Sequence, residues 1–205
     1  GECIQLDPIE DLIEYNKTLF LHDRWLEEAD LKGANLSGVD LSKQRLSGVN
    51  LEGHDLTEAK LYRTWLWDAD LTRANLTRAN LTKAHLKEAE LEGANLKEAN
   101  LTTTQLTRAN LSGANLENAN LTRAELIEAN FRKANLKGAN LKGAYLLKAN
   151  LYKADLSGAN LEYANLEDAN LEDANLYGAD LEEASYNDET KGLTEEQEDV
   201  MLYVP

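Results

Sequence analysis

Three histidines, His22, His54 and His85, and the single Cys3 are the side chains of this 205-residue chain best suited to acid–base, metal or nucleophilic chemistry. None has the neighbours such chemistry needs. His85 lies twenty residues from Trp65 on one side and Gln105 on the other, with no nucleophile or second metal ligand at that spacing. His54 falls in a slot otherwise held by Ala34 and Ala74, which suits a packed or water-bonded core residue rather than a base. One Cys forms neither an internal disulfide nor a Cys-based zinc site. The chain holds no G-x-S-x-G, phosphate-binding loop or H-E-x-x-H motif. The pairs Glu167-Asp168, Glu172-Asp173 and Glu182-Glu183 match no calcium-loop pattern. No catalytic residue, cofactor or metal is therefore expected.

The formal charge is −16, unevenly spread. Residues 72–153 carry 13 basic and seven acidic side chains, whereas 154–185 carry nine acids and no Lys or Arg. The acid sits towards the ends and the middle is mildly basic. No run of about 18 apolar residues exists, so no membrane-spanning helix is expected. The N-terminus "GECIQLDP" has no basic segment followed by an apolar one, which points to the cytoplasm. A leader already removed would point instead to a periplasm or a thylakoid lumen.

What could position these side chains is a period of five. Leu recurs at every fifth residue from Leu26 to Leu181, replaced once by Phe131 and never interrupted. Calling that Leu position i, Ala dominates at i−2, Asn or Asp at i−1, and polar residues or Gly at i+1 and i+2. Neither a helix of 3.6 residues per turn nor a period-2 strand asks for this spacing. Alternation over i−2, i−1 and i gives in, out, in, a short extended segment. The pair i+1, i+2 makes a corner, where Gly33, Gly113, Gly138 and Gly158 relieve positive φ when it is required. Four corners close a square in 20 residues, and squares stack into a solenoid.

The A-(D/N)-L-x-x motif, repeated from about residue 24 to 185, resembles the pentapeptide repeat family. That resemblance implies an all-β solenoid, a right-handed quadrilateral β-helix of about eight coils. Short α-helical caps are expected at both ends. Residues 1–23 offer Asp7, Pro8 and Glu10 as a helix start, with Ile9, Leu12, Ile13, Leu19 and Phe20 on one face. Residues 186–205 offer Thr194 and Gln197 as a second capping box. Three units follow: a cap over 1–23, the β-helix over 24–185 and a capped C-terminal segment over 186–205.

On such a frame, function should lie in outward departures from the pattern. Three of the four i−1 files are nearly pure Asn/Asp, Lys60 and Glu90 excepted. The fourth reads Trp25, Arg45, Trp65, His85, Gln105, Glu125, Tyr145, Asn165. Its i+1 neighbours include Trp67, Ile127 and Leu147, and its inward i−2 file departs at Arg24, Gln44, Thr64 and Thr104. Trp65, Trp67 and His85 should cluster, as should Ile127, Tyr145 and Leu147 further along. These six residues are the candidate interaction surface, unless they serve only to pack against the chain's own termini or against one another.

The expected function is a non-enzymatic rigid scaffold binding an as yet unnamed protein, without direct nucleic-acid contact. Capped ends favour a monomer, with homodimerisation through the aromatic side or the C-terminal helix left open. The family resemblance carries an alternative. It includes quinolone-resistance and topoisomerase-binding proteins similar to B-DNA in width and charge, which implies an acidic mimic acting on a type II topoisomerase. It also includes many cyanobacterial proteins, a plausible source.

Overall fold

The computed structural model describes residues 34–199 and 201–204. The N-terminal cap expected over 1–23, with Arg24, Trp25 and Gly33, lies outside the described residues.

From Asp40 to Asn165 every i−1 residue pairs in parallel with the residue twenty positions along, beginning at Asp40–Lys60 and ending at Asn165–Ser185. The chain thus makes one four-sided circuit per 20 residues with no phase slip. Each side contributes a single bridging residue, because a segment of three extended residues between corners has room for no more. Coil-to-coil hydrogen bonds run the length of the rod. The His85 N–H donates to the Thr64 carbonyl (2.9 Å), Leu86 N–H to Gln105 (2.7 Å) and Glu88 N–H to Thr107 (3.0 Å). Both ladder and corner groups are thereby satisfied between successive turns.

The corners are more demanding than the sequence pattern suggests. Every i+2 residue from Gly38 to Glu183 is left-handed, with φ between 53° and 70°. The i+3 N–H donates to the carbonyl of i, as from Ala59 to Leu56 (3.0 Å). This is the geometry of a type II turn. Positive φ is therefore required at all corners, and most are filled by Lys, Arg, Glu or Asp rather than Gly. Side chains that strain this conformation are tolerated because the coils above and below fix it. Asn and Asp at i−1 help. The Asn75 Oδ1 accepts from the Thr77 hydroxyl (2.7 Å), and the Asn110 Oδ1 accepts from the Ser112 N–H (3.2 Å). Their amides also form ladders between coils, Asn135 to Asn115 (3.0 Å) and Asn130 to Asn110 (3.0 Å).

Inside, Leu from i and Ala from i−2 form one continuous core, nearly all at 0–1% exposure. Phe131 fills a Leu slot and is fully buried. Thr64 and Thr104 occupy Ala slots and are also fully buried; their hydroxyls donate to the Leu41 and Leu81 carbonyls (2.8 Å each). Burial of a hydroxyl is compatible with the core because each has a partner. His54 is half-buried in its inward slot, its Nδ1 3.2 Å from the Glu52 carbonyl oxygen.

The period ends after Ser185. Asn170 pairs with Lys191, one residue beyond the expected interval. The additional residue is taken up in a turn where the Thr190 N–H donates to the Asn187 carbonyl (3.0 Å) and the Thr190 hydroxyl to the Leu166 carbonyl (3.0 Å). Strand β1 (Ser185–Tyr186) then pairs in parallel with β2 (Leu202–Tyr203). Between them lies α1 (Glu195–Glu198), opened by a capping box in which the Thr194 hydroxyl and the Gln197 side chain each receive the other's backbone N–H. Met201 is buried and Leu193 packs against the core.

Two aspartates carry a pH dependence. Asp55 and Asp155 titrate below the ordinary 3.8, held there first by the hydroxyls of Thr57 and Ser157 and then by the same residues' backbone N–H groups. A carboxylate with a depressed folded value contributes stability present above its unfolded value and lost as pH falls through the folded one. Asp55→Asn with Asp155→Asn is therefore expected to lower the melting temperature near neutrality, where the ionised carboxylates contribute, and to flatten its fall as pH drops below about 4. Thermal melts across that range would check it.

Candidate protein-interaction face

On one side the outward file reads Arg45, Trp65, His85, Gln105, Glu125, Tyr145, Asn165, Ser185, linked bridge to bridge. The corner following each of these residues places Trp67 beside Trp65. The structure brings Trp65, Trp67 and His85 into one cluster. His85 stacks on Trp65 at 4.3 Å and 18°, and Trp67 stands edge-on to Trp65 at 5.1 Å and 69°. Cross-coil stacking thus takes the place of an Asn ladder here. The His85 Nδ1 lies 2.6 Å from the Gln105 Oε1, so Nδ1 carries the proton of that hydrogen bond. Trp65 and His85 are half-buried by these contacts, whereas Trp67 is 41% exposed.

The second expected cluster is looser. Tyr145 is 53% exposed, and Ile127 and Leu147 are half-buried on the adjoining corners. Among the described residues Tyr145 makes no ring contact. Trp25 lies outside the described residues.

This file forgoes a stabilising feature of the other three. On its side only Asn165 returns a side-chain oxygen to the i+1 N–H, that of Glu167 (3.0 Å). Trp65, His85, Gln105, Glu125 and Tyr145 make no such bond among the described residues. Tyr145→Asn is therefore expected to raise stability by about 0.5–1.5 kcal/mol, by restoring an acceptor for the Leu147 N–H and a partner for Asn165. A urea midpoint no higher than that of the parent would show that the ring's packing outweighs the bond.

Two other corner files pair their own charges. The neighbouring corner file alternates in sign, with Arg108 Nε 2.8 Å from Glu128 and its Nη1 3.7 Å from Glu88, and Lys148 3.8 Å from Asp168. On another corner Arg78 sits between Glu58 and Glu98. Among the described residues no group of three or more His, Cys, Asp or Glu is placed to hold a metal ion. Nor is any helix of the described residues long and apolar enough to cross a membrane.

A rod of four-sided parallel coils with a Leu/Ala core and an unbroken 20-residue period is a β-helical solenoid. The family profile of pentapeptide repeats, in eight copies, matches residues 26–63, 66–102, 104–143 and 149–185, and the chain belongs to that family. Members of the family form right-handed β-helices. Among solved structures, HetL, a pentapeptide repeat protein involved in heterocyst differentiation regulation in the cyanobacterium Nostoc sp. strain PCC 7120, is 28% identical over 88% of this chain and 97% of its own, with a TM-score of 0.35. A trypsin-treated variant of QnrB1, a plasmid-mediated fluoroquinolone resistance protein, is 18% identical over 82% of this chain and 88% of its own. Its TM-score of 0.59 marks a shared fold. A pentapeptide repeat protein of the Arabidopsis thaliana thylakoid lumen is 30% identical over 54% of this chain and 66% of its own, with a TM-score of 0.24. No curated protein sequence matches the chain.

Proposed function

We propose that this protein is a non-enzymatic, rigid interaction scaffold that binds a protein partner through the face bearing Trp65, Trp67 and His85, extended by Ile127, Tyr145 and Leu147. The observation that supports the reading most is the aromatic cluster itself. It interrupts an otherwise polar ladder, leaves Trp67 exposed and forgoes the turn hydrogen bonds that Asn would supply. Exposed aromatics in a ring of polar groups are the usual anchors of protein interfaces. In this reading residues 186–205 close the C-terminal end of the rod and keep its last coil from pairing with other chains.

The test is capture of a partner from the native cell by the parent protein and by Trp65→Ser/Trp67→Ser. The double variant should retain its parallel-sheet circular dichroism and lose the captured protein. A partner retained in full by the variant removes this face from the account.

The second reading, an acidic mimic of DNA that inhibits a type II topoisomerase such as gyrase, draws on the acidic C-terminal coils. Against it, the middle coils stack acids with cations in sign-alternating files, whereas a phosphate-like strip is continuous along the axis. A supercoiling assay separates the two, since inhibition at stoichiometric protein belongs only to the mimic.

A further inference from the structure

The aromatic cluster is bounded along one edge by a row that the function above leaves unused. Lys43, Arg63, Lys83, Thr103 and Arg123 occupy successive left-handed corners, twenty residues apart. Their side chains leave the rod one coil apart, roughly 4.8 Å. On two of the other three corner files stacked cations alternate with acids, as Arg78 does with Glu58 and Glu98, and on the third Lys133 is followed by Lys153, which lies 3.9 Å from Asp173. Here four members of five are cations and all four are exposed. Among the described residues none of the four joins an ion pair, and Arg63 lies over the ring of Tyr62 at 5.3 Å. A stack of like charges is unfavourable by itself. It persists in a chain of net charge −16 that has acids in abundance to offset it. Arg63, Lys83 and Thr103 also form, with His85 and Gln105, a groove of about 270 Å³ against the aromatic face.

We propose that this basic row is a docking strip for a short, extended Asp/Glu-rich segment of the protein partner. The inference rests on the interaction reading above and names the chemistry of the partner. From Lys43 to Arg123 the strip spans four coil steps, roughly 19 Å, the reach of about six extended residues. Carboxylates need only point charges at this spacing, and the Arg63 guanidinium can take one in a two-pronged grip. The Nδ1 of His85 donates to Gln105, which leaves Nε2 to accept from a backbone N–H of the segment rather than to meet a carboxylate. Single-stranded nucleic acid fits less well, because it asks for a series of free ring faces. Trp65 is stacked by His85 and Tyr62 is covered by Arg63, so among these rings Trp67 alone is open. The overall charge also repels a long polyanion more than a short one.

The experiment uses a fluorescein-labelled hexaglutamate peptide, followed by anisotropy against the full chain at low and physiological salt. The proposal expects saturable binding that weakens with salt and falls about tenfold in Arg63→Glu/Lys83→Glu. The control Arg132→Glu/Lys133→Glu, the same charge change on a different corner, should stay within about twofold of the parent. Absence of peptide binding overturns the proposal, as does an equal loss in both variants, which would reflect net charge alone. Displacement of the peptide by a thymidine oligonucleotide at lower concentration overturns it in favour of phosphate recognition. Sedimentation showing a dimer that Arg63→Glu/Lys83→Glu dissociates overturns it in favour of a second copy of the chain. If hexaglutamate fails while Trp65→Ser/Trp67→Ser still abolishes partner capture, the interaction face stands and only its acidic chemistry falls.

Discussion

Leu86→Ala is expected to lower stability by about 2–5 kcal/mol, the range for removing most of a fully buried Leu from a core that cannot collapse around the void. Leu86 is 0% exposed, and its neighbours in the stack, Leu66 and Leu106, are held at fixed height by coil-to-coil hydrogen bonds. Each coil packs chiefly on the coils above and below it, so the defect falls on one interface of a nearly one-dimensional array. The urea transition should therefore shift to lower concentration and broaden, as the coils on either side begin to unfold separately. A loss below about 1 kcal/mol would contradict a closed core at this level. Leu86 also lies behind His85, so the aromatic cluster should loosen, visible as a change in Trp fluorescence before the main transition.

The second large effect is expected at Gly192. Its φ of 86° suits glycine, and a Cβ there would lie 2.4–2.6 Å from backbone atoms of Leu171 and Glu172. Those atoms belong to a corner fixed by the Ala174 N–H donating to the Leu171 carbonyl (2.9 Å) and the Glu172 N–H to the Asn170 Oδ1 (2.9 Å), and cannot move aside as a flexible side chain would. Gly192→Ala should therefore lift the chain off the last full coil, breaking the hydrogen bonds from Leu171 N–H to Lys191 (2.8 Å) and from Lys191 N–H to Ala169 (3.0 Å). A local penalty of about 2–4 kcal/mol follows from the clash and the backbone strain. With β2 and Met201 undocked, the final coil would expose its ladder and Leu side chains. Faster proteolysis after Tyr186 and concentration-dependent association by light scattering are the expected readouts. Unchanged proteolysis and a monomeric profile would show that another contact holds the segment in place.

Both predictions depend on how far the repeat enforces itself. The five-residue period needs no tertiary information, because Leu and Ala recur at fixed places and only a four-cornered coil puts all of them inside. The alignment of Trp65 with His85, twenty residues apart, follows from the same count. The helix at α1 is likewise legible, since Thr194 and Gln197 satisfy its first N–H groups locally. The strain at the corners is not legible. Lys43, Glu58 or Tyr163 in the left-handed region contradicts local preference, and only the stacking of coils compensates for it. The added residue that pairs Lys191 with Asn170 was equally hidden. It depends on the Thr190 hydroxyl meeting the Leu166 carbonyl across the end of the rod.

The basic row lies between these cases. Its members are visible in the sequence once every twentieth corner is read as a column, yet their lack of carboxylate partners is a matter of distance between side chains. The sequence by itself determined the period, the core and the set of residues sharing each wall, because each is a consequence of counting along a chain with a fixed repeat. Tertiary structure decided which rings stack, which cations pair and how the end closes. Those outcomes turn on ångström-scale contacts between residues twenty apart, for which a repeated local pattern sets the height but not the rotamer.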